Sequence, residues 1–299
     1  LVGIAGDSAS GKSTFAKGIV QLFGEENVLS ITLDNYHKFD RKERKDLGIT
    51  PLNPLANDFD LIYEHLKSLK SDKSIMMPVY DHSNGTFDSP VKVEPKEIVV
   101  VEGLHPFYQK RIHQLFNITI FIDPAFEIRK EWKIKRDVEQ RGYRYEDVIR
   151  EIDLRLPDYR KYVEPQKRKA EIIIQIRKDR SKREYKKGSP YWIRIFQLIT
   201  GERLSKVYFP LNLSSMCELE AEEMYFEYRK VSRGKRKFSV IEFNGTVRRE
   251  SLKDVEKVIK RVANREGDIF EGEIVTETDV GKFIIAWRVA ERFKELKKG

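Results

Sequence analysis

Cysteine is almost absent. The one cysteine among 299 residues is Cys217, so neither a disulfide framework nor a cysteine-built zinc cluster can form within the chain. It reads as a small buried hydrophobe, and the expected setting is cytoplasmic. No apolar run approaches the roughly 18 residues of a membrane-crossing helix, so no membrane partner is expected. The chain opens on a strand-like segment rather than a signal peptide, and Leu1 suggests a few residues upstream of it. There is no internal repeat, low-complexity tract, aromatic RNA-binding signature or helix-turn-helix pattern.

Charge is not lacking. The net value of +9 and pI near 9.3 suit either small phosphorylated substrates or nucleic acid. Two basic runs stand out, Arg177-Lys178-Asp179-Arg180-Ser181-Lys182-Arg183 and Arg233-Gly234-Lys235-Arg236-Lys237. The second separates two alternating segments, Tyr225 to Val231 and Phe238 to Phe243, as a solvated hairpin tip would. Both runs read as solvated faces, and no nucleic-acid partner is expected.

The most informative stretch is Gly6-Asp7-Ser8-Ala9-Ser10-Gly11-Lys12-Ser13, a G-x-x-x-x-G-K-S phosphate loop. An apolar strand precedes it. From Thr14 to Phe23 the residues Phe15, Ile19, Leu22 and Phe23 share one helical face, and Gly24 stands where the helix would stop. In that context backbone N–H groups converge at a helix N-terminus, which favours an anion. Gly6 to Thr14 are therefore the expected nucleotide-phosphate set for ATP. Lys12 would reach the β- and γ-phosphates and the Ser13 hydroxyl would bind Mg²⁺.

Val28 to Leu33 predicts a second strand ending in Asp34-Asn35-Tyr36-His37. Ligands of open α/β sheets lie beyond the carboxyl ends of strands, which delivers Asp34 and His37 toward the phosphates. The irregular stretch from Phe39 to Asn57 reads as a substrate loop. Asp58 or Asp60 should cap the helix that follows. A hairpin is expected around Ser83 to Thr86. Glu97 to Gly103 is a buried strand that closes on Glu102, the second expected Mg²⁺ residue. Ile118 to Ile122 is a further strand. The helix from about Phe126 places Lys133, Asp137 and Arg141 on one face, with Arg136 one turn from Lys133. That face is either a solvated Lys–Asp–Arg ladder or a cationic lid with a hinge at Gly142. A second helix, Glu146 to Tyr162, should be interrupted at Pro157, before a strand over Ala170 to Ile176.

The later chain shows strands over Tyr191 to Ile199 and Val207 to Leu213, and a turn at Asn244-Gly245. A capping box at Ser251 to Asp254 should open a helix to about Ala263. Glu271 to Thr278 reads as a strand and Phe283 to Leu296 as a helix. The expected fold is α/β: a mostly parallel, doubly wound sheet with helices on both faces over residues 1–180. A mixed α/β region over 181–299, structural and oligomerising, would extend it.

Several stretches carry a resemblance. They include Leu33-Asp34-Asn35-Tyr36-His37, Asp40-Arg41-Lys42, Asn57-Asp58-Phe59-Asp60-Leu61, Pro78-Val79-Tyr80-Asp81-His82, Val101-Glu102-Gly103-Leu104-His105-Pro106 and Arg136-Asp137-Val138-Glu139-Gln140-Arg141-Gly142. Over residues 1–176 the chain resembles the phosphoribulokinase/uridine kinase family of P-loop kinases, in particular its phosphoribulokinase branch of plant and cyanobacterial type. The resemblance implies phosphorylation of the C1 hydroxyl of D-ribulose 5-phosphate by MgATP. It implies Asp34 as base, with Lys12, Arg136 and Asp137 in the catalytic set, and Glu102 as the Walker B acid. His37, Arg41, Tyr80, His82, Lys133, Arg136, Arg141 and Arg155 would bind the sugar phosphate, Arg41 gripping its existing phosphate. A homodimer is also implied. Competing readings are a uridine-kinase-like nucleoside kinase and a basic P-loop nucleic-acid-binding protein. Plant-type enzymes carry a regulatory cysteine in the P-loop, where this chain has Ser10. Activity is therefore expected to be indifferent to thiol reductants; a several-fold activation by dithiothreitol would contradict that.

Overall fold

The computed structural model describes residues 1–178, 191–199 and 224–297. The expected strand over Val207 to Leu213, Cys217 and residues 179–183 of the first basic run lie outside them. The chain divides into two units, residues 1–13 with 26–170, and residues 14–25 with 171–299.

In the first unit, β1 (Val2–Gly6), β2 (Val28–Thr32), β5 (Ile98–Gly103) and β6 (Ile118–Pro124) lie in the order β6-β1-β5-β2, every pairing parallel. Strands covered on both faces need continuous apolar runs, and every residue of β1 and β6 is buried. The connection from β1 to β2 passes over β5 while that from β5 to β6 passes back over β1. That reversal leaves a crevice beyond the carboxyl end of β1. The helix α1 (Lys12–Phe23) follows the phosphate loop, and two short helices are α2 (Arg41–Asp46) and α4 (Lys110–His113). Asp58, not Asp60, caps α3 (Phe59–Lys70) by accepting from Leu61 N at 3.0 Å. Ile62, Leu66 and Leu69 of α3 recur at helical spacing and join Ile31, Val99 and Val101 of the sheet in one buried cluster. β3 (Ile75–Asp81) and β4 (Thr86–Val93) form the expected antiparallel hairpin.

The helix α5 (Phe126–Ile134) continues into a π-helical turn over Lys135–Gln140. Pro157 does not interrupt α6 (Tyr145–Asp158). It stands on the exposed side in the last turn, and the helix widens into a π-turn over Tyr159–Val163. The missing N–H and ring clash of proline are tolerated there because the backbone is already leaving α geometry.

In the second unit, β7 (Ile172–Lys178), β8 (Tyr191–Leu198) and β10 (Arg236–Arg248) pair antiparallel in that order. β9 (Met224–Arg233) and β11 (Ile274–Thr276) also pair with β10. The basic tip between β9 and β10 is where the sequence places it. Asn244-Gly245 is not a turn, because both residues lie inside β10. Asn244 is fully buried and donates from Nδ2 to Tyr191 O at 2.5 Å. Gly245 has φ +98°, at the point where β10 leaves β8 and goes on to β11. The capping box at Ser251 does not form either. A 3-10 turn over Arg249–Leu252 leads into α7 (Lys253–Ala263) without a side-chain cap. The box forms instead at Thr276 and Asp279, so that α8 (Glu277–Leu296) starts six residues before Phe283 and leaves β11 only three residues. Phe23 meets Phe293 of α8 edge-to-face at 5.8 Å. Among the described residues no helix is long and apolar enough to cross a membrane.

Candidate active site

The phosphate loop closes on itself. Ser10 N donates to Asp7 O at 3.3 Å and Ser8 N to the Asp7 carboxylate at 2.7 Å. The Lys12 ammonium donates to Asp7 O at 2.8 Å. Ala9 and Gly11 take left-handed backbone, φ +56° and +90°, which turns successive N–H groups to the concave side. A Cβ on Gly6 would fall 2.6 Å from Ser10 Oγ and 2.9 Å from Ile122 O, so the loop can sit this close to β6 only with glycine there. Ser13 and Thr14 lie in the first turn of α1, where N–H groups have no partner within the helix.

Two groups of predicted residues assemble around this loop, both within the first unit. The first stands at the ends of β2 and β5. Thr32 pairs with Glu102 in register, so Asp34 follows β2 on the side where Glu102 ends β5. The Asp34 carboxylate lies 3.4 Å from His82 Nε2. Burial opposes its charge, but the His82 hydrogen bond and the positive charge of Lys12 hold its carboxyl well below the usual carboxylate range. For Glu102 the balance is opposite: burial and the Asp34 charge raise its pKa, and only Lys12 opposes them. The two acids are thereby set apart, one ionised and one eager for a cation or a proton.

His37 is buried, its Nδ1 lies 3.1 Å from Asn57 Oδ1, and its ring meets Tyr80 edge-on at 5.2 Å. Asn57 Nδ2 donates to Pro51 O and Asn53 O, so Oδ1 must accept and His37 Nδ1 carries the hydrogen. Burial, aided by Arg44, pushes the His37 pKa down to about 4. At neutral pH its Nε2 is therefore an acceptor.

Arg41 is exposed and lies across the hairpin turn: its guanidinium donates to His82 O at 2.6 Å and its backbone N–H to Gly85 O at 2.8 Å. Its guanidinium carbon stands 5.8 Å from the Tyr143 ring. Gly85 has φ +82°, and a Cβ there would meet the Arg41 side chain at 2.7 Å. Gly85→Ala is expected to cost about 1–2 kcal/mol from the left-handed backbone alone and to push Arg41 off the turn. A denaturant midpoint equal to wild type would contradict this.

The second group gathers on Asp137. This carboxylate is 1% exposed and takes Lys133 at 2.5 Å, Arg136 at 2.8 Å and Arg141 at 3.3 Å. The Lys–Asp–Arg ladder exists, then, but around a buried acid rather than along a solvated face. Burial works against its charge, and the hydrogen bonds from Arg136 and Lys133 nonetheless hold its pKa down. Lys133 is pulled down by burial and then by Arg155. Arg155 pairs with Glu151, which also stands 3.7 Å from Lys133. Arg136 reaches the phosphate loop, donating to Ser8 Oγ at 3.1 Å.

Sequence reasoning missed two further residues. Arg129 is buried, pairs with Asp7 of the loop at 3.1 Å and lies 4.0 Å over the Tyr159 ring. Its spacing of four to Lys133 and seven to Arg136 was the available signal, since these positions share one helix face. Arg44, buried with its guanidinium on the Tyr80 hydroxyl at 2.7 Å, had none: it is one cation in a charged run.

A parallel sheet whose first strand runs into such a loop, with acids at the ends of two neighbouring strands and a cationic helix beside it, defines the P-loop kinase fold. Residues 1–182 match the model of the phosphoribulokinase/uridine kinase family, and the chain belongs to that family. It is 49% identical over 176 residues to the phosphoribulokinase of Synechocystis, covering 59% of this chain and 53% of that protein. It is 34% identical over 182 residues to the uridine kinase of a Geobacillus strain, covering 58% of this chain and 84% of that protein. The matched part thus spans about half the length of the phosphoribulokinases. The fold is similar to that of the phosphoribulokinase from Rhodobacter spheroides, with TM-score 0.62 at 17% identity, covering 100% of this chain and 98% of that one.

Proposed function

We propose that the chain transfers the γ-phosphoryl group of MgATP to the C1 hydroxyl of D-ribulose 5-phosphate, giving ribulose 1,5-bisphosphate. The reading rests above all on Asp34, an ionised carboxylate at a strand end beside Lys12 and His82. Phosphoryl transfer needs positioning, charge neutralisation and an oriented nucleophile more than covalent chemistry. Asp34 accepts the hydroxyl proton, and His82 fixes its orientation. Gly6 to Thr14 cradle the nucleotide phosphates, and Lys12, Arg136 and Arg141 meet the charge that develops on the transferred group. The 49% identity to a phosphoribulokinase supports the sugar-phosphate reading over the nucleoside one.

The residues fit a magnesium ion. Among the described residues the Glu102 carboxylate forms no hydrogen bond or ion pair, its oxygens are not sealed from solvent, and its raised proton affinity is what a cation would relieve. No cluster of three or more His, Cys, Asp or Glu able to hold a metal occurs among the described residues. That suits an ion bound through one carboxylate, the Ser13 hydroxyl and substrate phosphates. When bound, Mg²⁺ neutralises the phosphate oxygens. The near-absence of cysteine supports a cytoplasmic setting. A homodimer is part of the proposal through the family resemblance.

ADP release with MgATP and ribulose 5-phosphate, uridine or no acceptor tests the reading. Rapid release with ribulose 5-phosphate only is expected; preference for uridine would move the chain to the nucleoside branch. Arg41→Ala should raise KM for the sugar phosphate by roughly tenfold or more, the loss of about 1.5–3 kcal/mol of charged hydrogen bonding. KM for MgATP should hardly change; an equal rise in both would remove Arg41 from the phosphate site.

A further inference from the structure

Arg44 is the one buried residue of α2, 6% exposed, and among the described residues its guanidinium forms no ion pair. A buried cation without a carboxylate is costly and calls for an explanation. Its partners are neutral oxygens: Phe39 O, and the Tyr80 hydroxyl at 2.7 Å. The Tyr80 oxygen therefore accepts from Arg44, and its own hydrogen is turned elsewhere. Tyr80 is itself held, its N–H on Asn35 Oδ1 at 3.0 Å and its ring between His37 and His82, at 5.2 Å and 5.1 Å. His37 has its Nδ1–H committed to Asn57, and among the described residues Nε2 has no hydrogen-bond partner and is not sealed from solvent.

We infer that Arg44 is a positioning residue: by donating to the Tyr80 oxygen it leaves the Tyr80 O–H to donate into the site, and its uncompensated charge adds to burial and the Asn57 contact in leaving His37 with an acceptor Nε2. A sugar hydroxyl then donates to His37, and a second sugar oxygen accepts from Tyr80. This rests on the sugar-phosphate reading only for the identity of the ligand. The groups facing His37 are Asp34 on its own segment, Arg44 from α2, Tyr80 and His82 from the hairpin, and His105 after β5. Asp34 favours the imidazolium; burial, Arg44 and His82 oppose it. Burial holds His105 itself neutral, its pKa down to about 3.

The test is an NMR titration of the His37 ring in the ligand-free chain, for wild type, Arg44→Gln and Arg44→Lys. Wild-type His37 should titrate near 4. Arg44→Gln, which keeps a donor for both oxygens but loses the charge, should raise that value by about one unit or more. Arg44→Lys, which keeps the charge, should leave it near wild type. Equal shifts in the two variants would make Arg44 merely structural, and no shift in Arg44→Gln would overturn the inference, as would an ordinary histidine value in wild type. In assays, Arg44→Gln should show a KM for ribulose 5-phosphate that climbs as the solution becomes mildly acidic, with kcat little changed. Tyr80→Phe should raise that KM without moving the His37 titration; a moved titration would contradict the inference. If wild type does not use ribulose 5-phosphate, the functional proposal fails while the titration still decides the role of Arg44.

Discussion

Asp34→Asn is expected to lower kcat by roughly 10²–10⁴-fold, the range that a positioned proton acceptor contributes, with KM for both substrates within a few-fold of wild type. The amide keeps the size of the carboxylate and its place beside His82, so binding survives while proton acceptance is lost. The carboxyl lies well below the usual range, which has two consequences. The base stays ionised throughout the mildly acidic range, so Asp34 gives the pH–rate profile no limb there. In the proposed role, its weak basicity would have it draw the proton late, once phosphoryl transfer has made the hydroxyl acidic, and act mainly by orienting it. A loss below about tenfold would remove Asp34 from the role of base.

Asp137→Ala should be the most destabilising single change near the site, by about 3–5 kcal/mol. The carboxylate is 1% exposed and holds Lys133, itself almost fully buried, with Arg136 and Arg141. Removing it strands a desolvated ammonium among guanidinium groups. For a unit of this size the thermal midpoint should fall by about 6–20 °C. Because the folded carboxyl is held below its ordinary value, its stabilisation is fully present above the ordinary carboxylate pKa. It is lost as pH falls through the folded value. Wild type and variant should therefore converge in strong acid; a constant gap down to acid unfolding, or a midpoint shift under about 2 °C, would contradict the account.

The parts of the molecule legible in the sequence were those fixed by local chemistry. The phosphate loop declares itself because glycines, lysine and serine must stand at set offsets, and β2 declares Asp34 because apolar periodicity stops one residue before it. Asn244-Gly245 misled because the same dipeptide that favours a tight turn also serves as a bend inside a strand, and burial of Asn244 against Tyr191 decided between them. Two S/T-x-x-D patterns competed as helix starts, and only that at Thr276 lies where the backbone is extended before the helix. Leu252 already has helical dihedrals after the 3-10 turn, leaving Ser251 no cap position to occupy. Near the phosphate loop, Asp34, His37 and Glu102 could be placed from the sequence because strand ends carry them, whereas Tyr80 and His82 entered only through the family resemblance. Arg44 could not be placed, since it finds its partner across distant sequence at Tyr80, and Arg129, paired with the distant Asp7, showed only through its helical spacing to Lys133 and Arg136.

The Asp137 cluster holds more positive charge than it neutralises. Among the described residues Lys133, Arg136, Arg141 and Arg155 share only Asp137 and Glu151, and Arg136 extends that surplus to the phosphate loop through Ser8. On the proposed function an incoming polyphosphate would be drawn in before it touches the loop, and the capture rate, not the chemical step, is what added salt should slow.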